Sequence, residues 1–255
     1  METNTMRIQT VRGWKAACDV VADSLLDEAG ITAGPVDAFT LARRLGFETI
    51  LDASQLVRTR FKQLRGRPTI FVRPDREAER QHWAVARAIA ERSLGRVVAQ
   101  LRIPGGKLPG RLKEEICNEM ASRLLLPRRW FFPAVEELDG DVMALKRRFA
   151  TASHELVLLA MLRVPGKSVV SLFDDTRVTR RFSNRAGRND ITALEQSVWQ
   201  QVHRMGMPCD VEEDGRRVQC WPLHINGHRR EFMRVTWPAE TDPAAVQSQR
   251  ELAFA

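Results

Sequence analysis

Four residues near the C-terminus carry side chains that bind borderline metals: Cys209, Cys220, His224 and His228, spaced C-x10-C-x3-H-x3-H. Thiolates and imidazoles in groups of four hold zinc tetrahedrally in structural sites. This spacing matches no common finger, and a bend expected at Pro222 separates Cys220 from His224, so the four read as strand residues rather than a metal centre. In the segment Arg80–Leu94 (RQHWAVARAIAERSL), Arg87 and Glu91 stand four apart, one helical turn, where guanidinium and carboxylate can pair. His82 lies five residues before Arg87, about 140° around the same helix, and is expected as an exposed or supporting histidine rather than a ligand beside it. The chain holds no HExxH, the two imidazoles one turn apart with an intervening glutamate that a helical zinc-peptidase site uses.

A second kind of chemistry is electrostatic. Forty basic residues, six of them lysine, stand against 32 acidic ones, a net charge of +8. Residues 51–150 hold 21 basic and 12 acidic groups, an excess of +9, and the remainder sums to −1. Arg58, Arg60 and Lys62 alternate and so share one face of a strand, with Arg65 and Arg67 just beyond. They admit two readings: a surface for an anionic partner such as nucleic acid, or charges guarding a sheet edge against aggregation.

The elements that must position these residues follow from periodicity and punctuation. Trp14–Ala29 is amphipathic and stops at Gly30, and Pro35 opens a helix running to Leu45. Phe47–Leu51, Arg58–Leu64 and Thr69–Val72 read as strands, with a turn at Arg65–Arg67. A helix is expected over Glu77–Leu94, closed by Gly95, then a Pro- and Gly-rich loop at Ile103–Gly110 and a helix at Leu112–Leu126, which Pro127 ends. The first unit thus runs to about residue 139. Two short helices, Val142–Phe149 and His154–Leu162, have the length and turn of a helix-turn-helix. The second is apolar from Leu156 to Leu162, and the basic residues Lys146, Arg147 and Arg148 lie on the first. A hairpin joining two domains and a DNA-contacting motif both remain open.

Beyond residue 165 the pattern is strand, strand, helix, strand, strand, strand: Ser168–Phe173, Arg177–Phe182, Ala193–Met205, Asp210–Glu213, Arg217–Pro222 and Arg229–Trp237. Asp174-Asp175 and Asp214-Gly215 mark hairpins. Trp199, Trp221 and Trp237 could line a small-molecule pocket or pack in the core. The fold class is α+β, with domains expected at 1–139, 140–165 and 166–255. A composition of 44% hydrophobic and 28% charged residues excludes disordered and fibrous classes. The longest apolar run, Leu156–Leu162, is far short of the roughly 20 residues of a membrane-spanning helix. Without a signal-peptide core in Met1–Thr10 and with four scattered cysteines, the chain is expected to be cytoplasmic, with reduced thiols and no membrane partner.

Arg80–Leu94, read beside Glu114–Pro127 (EEICNEMASRLLLP), resembles the ImmA/IrrE family of bacterial zinc metallopeptidases. That family places a helix reading roughly RFTLAHELGH after a hairpin, then one reading roughly E…AN.FA..LLMP. Trp83 stands for the Phe and Val85-Ala86 for the Leu-Ala. Asn118, Ala121, Leu124, Leu125 and Pro127 match the second motif, and Glu114 falls on the third-ligand position. The resemblance covers residues 14–138 and implies a zincin-like domain. On pattern alone it extends to the helix-turn-helix and a GAF-like C-terminal sensor, the arrangement of the IrrE branch, whose peptidase cleaves a repressor and derepresses stress genes.

The zinc chemistry is replaced. Arg87 stands at the first histidine, Ala88 at the glutamate and Glu91 at the second histidine. A guanidinium does not become a neutral donor, and alanine accepts no proton from water. Arg87 is expected to take the electrostatic place of the metal by bridging Glu91 and Glu114; the alternative is a solvated i,i+4 pair worth about 0.3–0.5 kcal/mol. The expected function is non-catalytic regulation in a stress response or in mobile-element control. The former cleft, Arg87, Ala88, Glu91 and Glu114, would bind a partner, a transcriptional regulator by the family's habit, and zinc is not expected. Two alternatives stand beside it: a zinc endopeptidase with the unorthodox ligands His82, Glu91 and Glu114, and a DNA-binding regulator using the hairpin and residues 58–67.

Overall fold

The computed structural model describes residues 2–101, 108–185, 190–225 and 227–238. The chain is α+β and divides into two units, Met1–Val157 and Leu158–Ala255. The division falls inside the second helix of the expected hairpin, and most of the Ile103–Gly110 loop lies outside the described residues.

The first unit runs α1 (Glu2–Glu28), α2 (Ala38–Arg44), β1 (Glu48–Leu51), β2 (Thr59–Leu64), β3 (Arg67–Val72), α3 (Ala78–Arg92), α4 (Leu94–Gln100), α5 (Gly110–Leu125), α6 (Arg128–Glu137), α7 (Val142–Arg148) and α8 (His154–Ala160). Helix α2 begins three residues after Pro35 because Asp37 supplies the cap, its carboxylate accepting from the Thr40 amide at 2.6 Å. The three strands are ordered β1-β3-β2, with β1 parallel and β2 antiparallel to β3. Arg65 and Gly66 both have positive φ, 50° and 79°, the two-residue turn that matches strand twist in a hairpin.

Three elements depart from the pattern. Helix α1 starts a dozen residues before Trp14. The helix expected to stop at Gly95 breaks instead at Ser93, and α4 continues with Val97 fully buried in the core. Helix α6 was hidden by its prolines. Pro127 sits at its start, where the Pro127 carbonyl accepts from Phe131, and Pro133 lies inside it, tolerated because Phe131, Ala134 and Val135 are buried.

Helix α3 buries Ala84, Val85, Ala86, Ala88, Ile89 and Ala90, and its alanines allow close approach to α5, which buries Ile116, Met120, Ala121 and Leu124. Helix α1 closes the other side of α5 with Cys18, Val21, Ala22, Leu25 and Leu26, and burial pushes the Cys18 thiol up to about 12. Helix α7 is held to this unit by Phe149 against Phe131 (centroids 5.5 Å apart) and by Lys146 paired with Glu79 at 2.8 Å.

In the second unit a 3-10 turn, Met161–Arg163, leads to β4 (Ser168–Asp174), β5 (Arg177–Ser183), α9 (Ala193–Met205), β6 (Cys209–Glu213), β7 (Arg216–Ile225) and β8 (His228–Thr236). The strands form one antiparallel sheet, β5-β4-β8-β7-β6. Register aligns Val169 with Val235 and Val218 with Val235, and these share a core with Phe173, Cys220 and Met233 and with Val198 and Val202 of α9. Thr192 and Glu195 form a capping box at the start of α9, and Gly206, at φ 64°, ends it. Glu195, nearly fully buried, also accepts two bonds from Nη2 of Arg181, at 2.9 and 3.1 Å.

Candidate functional site

Helices α3 and α5 bring Arg87 and Glu114 together. The Arg87 guanidinium pairs with Glu114 through one terminal nitrogen and donates from Nε to Asn118 Oδ1 at 3.1 Å. Glu114 and Asn118 are one turn apart on α5, so carboxylate and amide face α3 together and accept the planar fork. The expected bridge to Glu91 is not formed: Glu91 lies against Lys113 Nζ at 3.5 Å. The reason is geometric. Glu91 is a turn further along α3, beside the residue preceding Glu114, and the two helices exchange two parallel charge pairs instead of one three-centre bridge. The Arg87 side chain is 29% exposed and that of Glu114 60%, so the site is a partly open surface arrangement. Ala88 is buried with Ala84, Ala86 and Ala90. The Cys117 thiol, on α5 between these partners, is pushed up chiefly by burial.

His82 faces elsewhere. Its Nδ1 accepts the Ala38 amide at 3.3 Å and its ring meets Phe39 edge-on, at 5.4 Å between centroids. Burial holds its pKa below the usual histidine value, against the opposing pull of Asp37 and Glu79. His82 is thus a half-buried packing residue at the start of α2, not an exposed one. His82, Glu91 and Glu114 do not converge among the described residues.

Strand β2 is an edge of its sheet, and Arg58, Arg60, Lys62, Arg65 and Arg67 are all exposed. Arg60 is engaged, 3.5 Å from Asp52 and over the Phe71 ring. Arg58, Lys62, Arg65 and Arg67 form no ion pair among the described residues. In the helical hairpin, Lys146 is spent on Glu79 and the Ala150 carbonyl, Arg148 pairs with Glu137, and every residue of α8 is at least half-buried.

The cysteine–histidine set of the second unit does not assemble. Cys209 and Cys220 face each other as free thiols across β6 and β7, and burial raises the Cys220 thiol, with the Glu231 charge adding to it. His228 pairs in register with Ile225 at the hairpin end. His224 instead meets two residues that sequence spacing does not single out, bonding Glu231 of β8 and lying edge-on to the His203 ring of α9 at 6.2 Å between centroids. Trp199 stacks on Phe173 at 4.8 Å between centroids, Trp221 is buried and Trp237 lies under Arg185.

No helix among the described residues is long and apolar enough to cross a membrane. No protein-family model and no curated protein matches the sequence. Among solved structures, a Mycobacterium tuberculosis transcriptional regulator is similar in fold, with a TM-score of 0.62 and 16% identity over 89% of this chain and 82% of that one.

Proposed function

We propose that this protein is a non-catalytic regulator on an ImmA/IrrE-like scaffold: a zincin-like first unit that binds a transcriptional regulator without cutting it, and a GAF-like second unit. The observation that supports this reading is that Arg87, the residue that the resemblance aligns with the family's first metal-binding histidine, holds its guanidinium against Glu114 and Asn118. A fixed positive charge there leaves no general base, since Ala88 is buried and has no proton-accepting group. The free edge of β2 offers backbone groups to an extended peptide, and the fold-level likeness to a transcriptional regulator is compatible with a regulatory role.

The test compares transcription and repressor integrity in the host. Deleting the gene should change transcription of a defined set of genes, and Arg87→Ala should reproduce part of that change, while immunoblots show the cognate repressor at full length throughout. A truncated repressor that disappears in a Glu114→Ala strain would overturn the reading in favour of a peptidase.

Direct DNA binding is the second reading, favoured by the exposed Arg58, Lys62, Arg65 and Arg67. It requires duplex affinity that falls by about 0.9 log unit per log unit of salt for each phosphate neutralised.

A further inference from the structure

We propose that His203, His224 and Glu231 form a binding site for a divalent first-row transition-metal ion in the second unit. The proposal begins with a misplaced charge. Along β8, Glu231, Met233 and Val235 point to the face that α9 covers, and Glu231 is fully buried beside the apolar pair, with the exposed Arg229 ending the row and donating to the His203 carbonyl at 3.2 Å rather than to Glu231. A buried carboxylate needs a compensating cation and filled hydrogen bonds. Among the described residues no arginine or lysine hydrogen-bonds to it. Its partners are the Trp199 indole N–H, donating to Oε2 at 3.0 Å, and two imidazoles on Oε1: His203 Nδ1 at 2.9 Å and His224 Nε2 at 2.7 Å.

Three separate elements aim these groups at one point. Trp199 and His203 are one turn apart on α9, so both reach the same carboxylate. His224 comes from β7, two residues beyond Pro222, the register partner of Glu231, and therefore on the same face of the sheet. Gly206 ends α9 beside the His224 ring: a Cβ there would lie 3.7 Å from Nδ1. The two nitrogens and one carboxylate oxygen all lie within 4.8 Å of one another. Ligand atoms about 2.0–2.1 Å from a tetrahedral ion stand roughly 3.3 Å apart, so the two N···O separations would lengthen by about half an ångström and the two nitrogens, within 4.8 Å, would close by up to about 1.5 Å to admit it.

The donor set selects the ion class. Two imidazoles and one carboxylate, without thiolate, suit zinc and its neighbours in the first row, whereas calcium and magnesium require mostly oxygen. The Trp199 bond to Oε2 fixes the carboxylate so that Oε1 faces the imidazoles, the outer-shell support that metal sites use. Both histidine side chains retain partial exposure, 22% and 26%, which leaves a side of the ion for water or a further ligand. The ion would clamp the last turn of α9 to β7 and β8. None of this depends on the first unit.

The experiment uses the untagged full chain, stripped with chelator and titrated with Zn²⁺ by calorimetry and with Co²⁺ by visible absorption. One saturable equivalent of each is expected, with Co²⁺ gaining the visible bands of a low-coordinate site. His203→Ala and His224→Ala should each weaken binding by more than the roughly 10–100-fold that loss of an outer-shell partner costs, and Trp199→Phe should fall within that range. Glu231→Gln, which keeps the shape and a hydrogen-bonding oxygen, should also weaken it, so the proposal stays testable if a larger change at Glu231 fails to fold. Cys209→Ser with Cys220→Ser should leave binding unchanged. A folded wild-type chain that binds neither ion saturably would overturn the proposal. So would binding that survives both histidine changes, or binding lost only with the cysteines.

Discussion

Arg87 and Arg181 are both arginines paired across elements with a glutamate, yet their energetics differ because their burial differs. Arg87 and Glu114 are open to water, so their attraction is screened, and removing the guanidinium leaves a carboxylate that water can solvate. Arg87→Met should therefore cost about 1 kcal/mol or less. Arg181 is 12% and Glu195 2% exposed, and Arg181→Met strands a buried carboxylate, which costs about 3–5 kcal/mol. Urea unfolding of the two variants beside wild type reads this contrast directly; equal shifts would mean that Arg87 is far better shielded than its exposure implies. The family resemblance, not spacing, pointed to Glu114 as a partner of Arg87, while spacing assigned Glu91 to the wrong cation, because i,i+4 spacing says which residues share a face and not which cross-helix neighbour stands nearer. Glu231 and His203 were invisible for a related reason. They lie 28 positions apart, on a strand and a helix, and only sheet register and the α9 crossing unite them.

At the scale of elements, two helices of the first unit share a titration behaviour. His82 packs against the start of α2 and His154 starts α8, and burial lowers the pKa of each below the ordinary 6.5. The unfolded chain then binds protons that the folded chain refuses. Stability from this source is complete above about pH 6.5 and is lost as pH falls through and below that value. Tm measured from pH 7.5 to 5 should decline, and His82→Gln with His154→Gln should flatten the decline; an unchanged slope would assign it to other groups. The basic face of β2 makes a second prediction at this scale. Arg58→Gln, Lys62→Gln and Arg67→Gln together should leave duplex retention unaltered and lower solubility, as expected of charges guarding an edge strand. A salt-dependent affinity abolished by the triple change would favour DNA binding. At α9 the expected bounds, Ala193–Met205, are those observed, and a capping box and Gly206 fix its ends. Where burial overrides a breaker, as with Pro133 in α6 or Gly95 in α4, the bounds were not legible, since a proline or glycine records local preference and not the core contacts that outweigh it.

At the scale of the whole molecule, the two units carry separate claims about metal, and one set of variants tests both. The α+β class was readable from the sequence, and the meeting of α3 with α5 was implied by the resemblance; the ligand chemistry of the second unit was not legible, because the conspicuous Cys209, Cys220, His224 and His228 set masks the three groups that converge. Changing Arg87→His, Ala88→Glu and Glu91→His should create zinc affinity in the first unit, since Glu114 already faces α3 from α5. The new glutamate enters a buried position, so the triple variant should melt below wild type without metal and recover on adding zinc, by mass action on the folded state. In a His203→Ala, His224→Ala background it should bind one zinc, in the otherwise wild-type chain two, and the double-histidine variant alone none. A count of two, one and none across these three chains assigns one ion to each unit. If the triple variant folds but adds no zinc in either background, α3 and α5 do not hold the geometry of a metallopeptidase, and the regulatory reading loses its structural basis while the second-unit site stands or falls on its own titration.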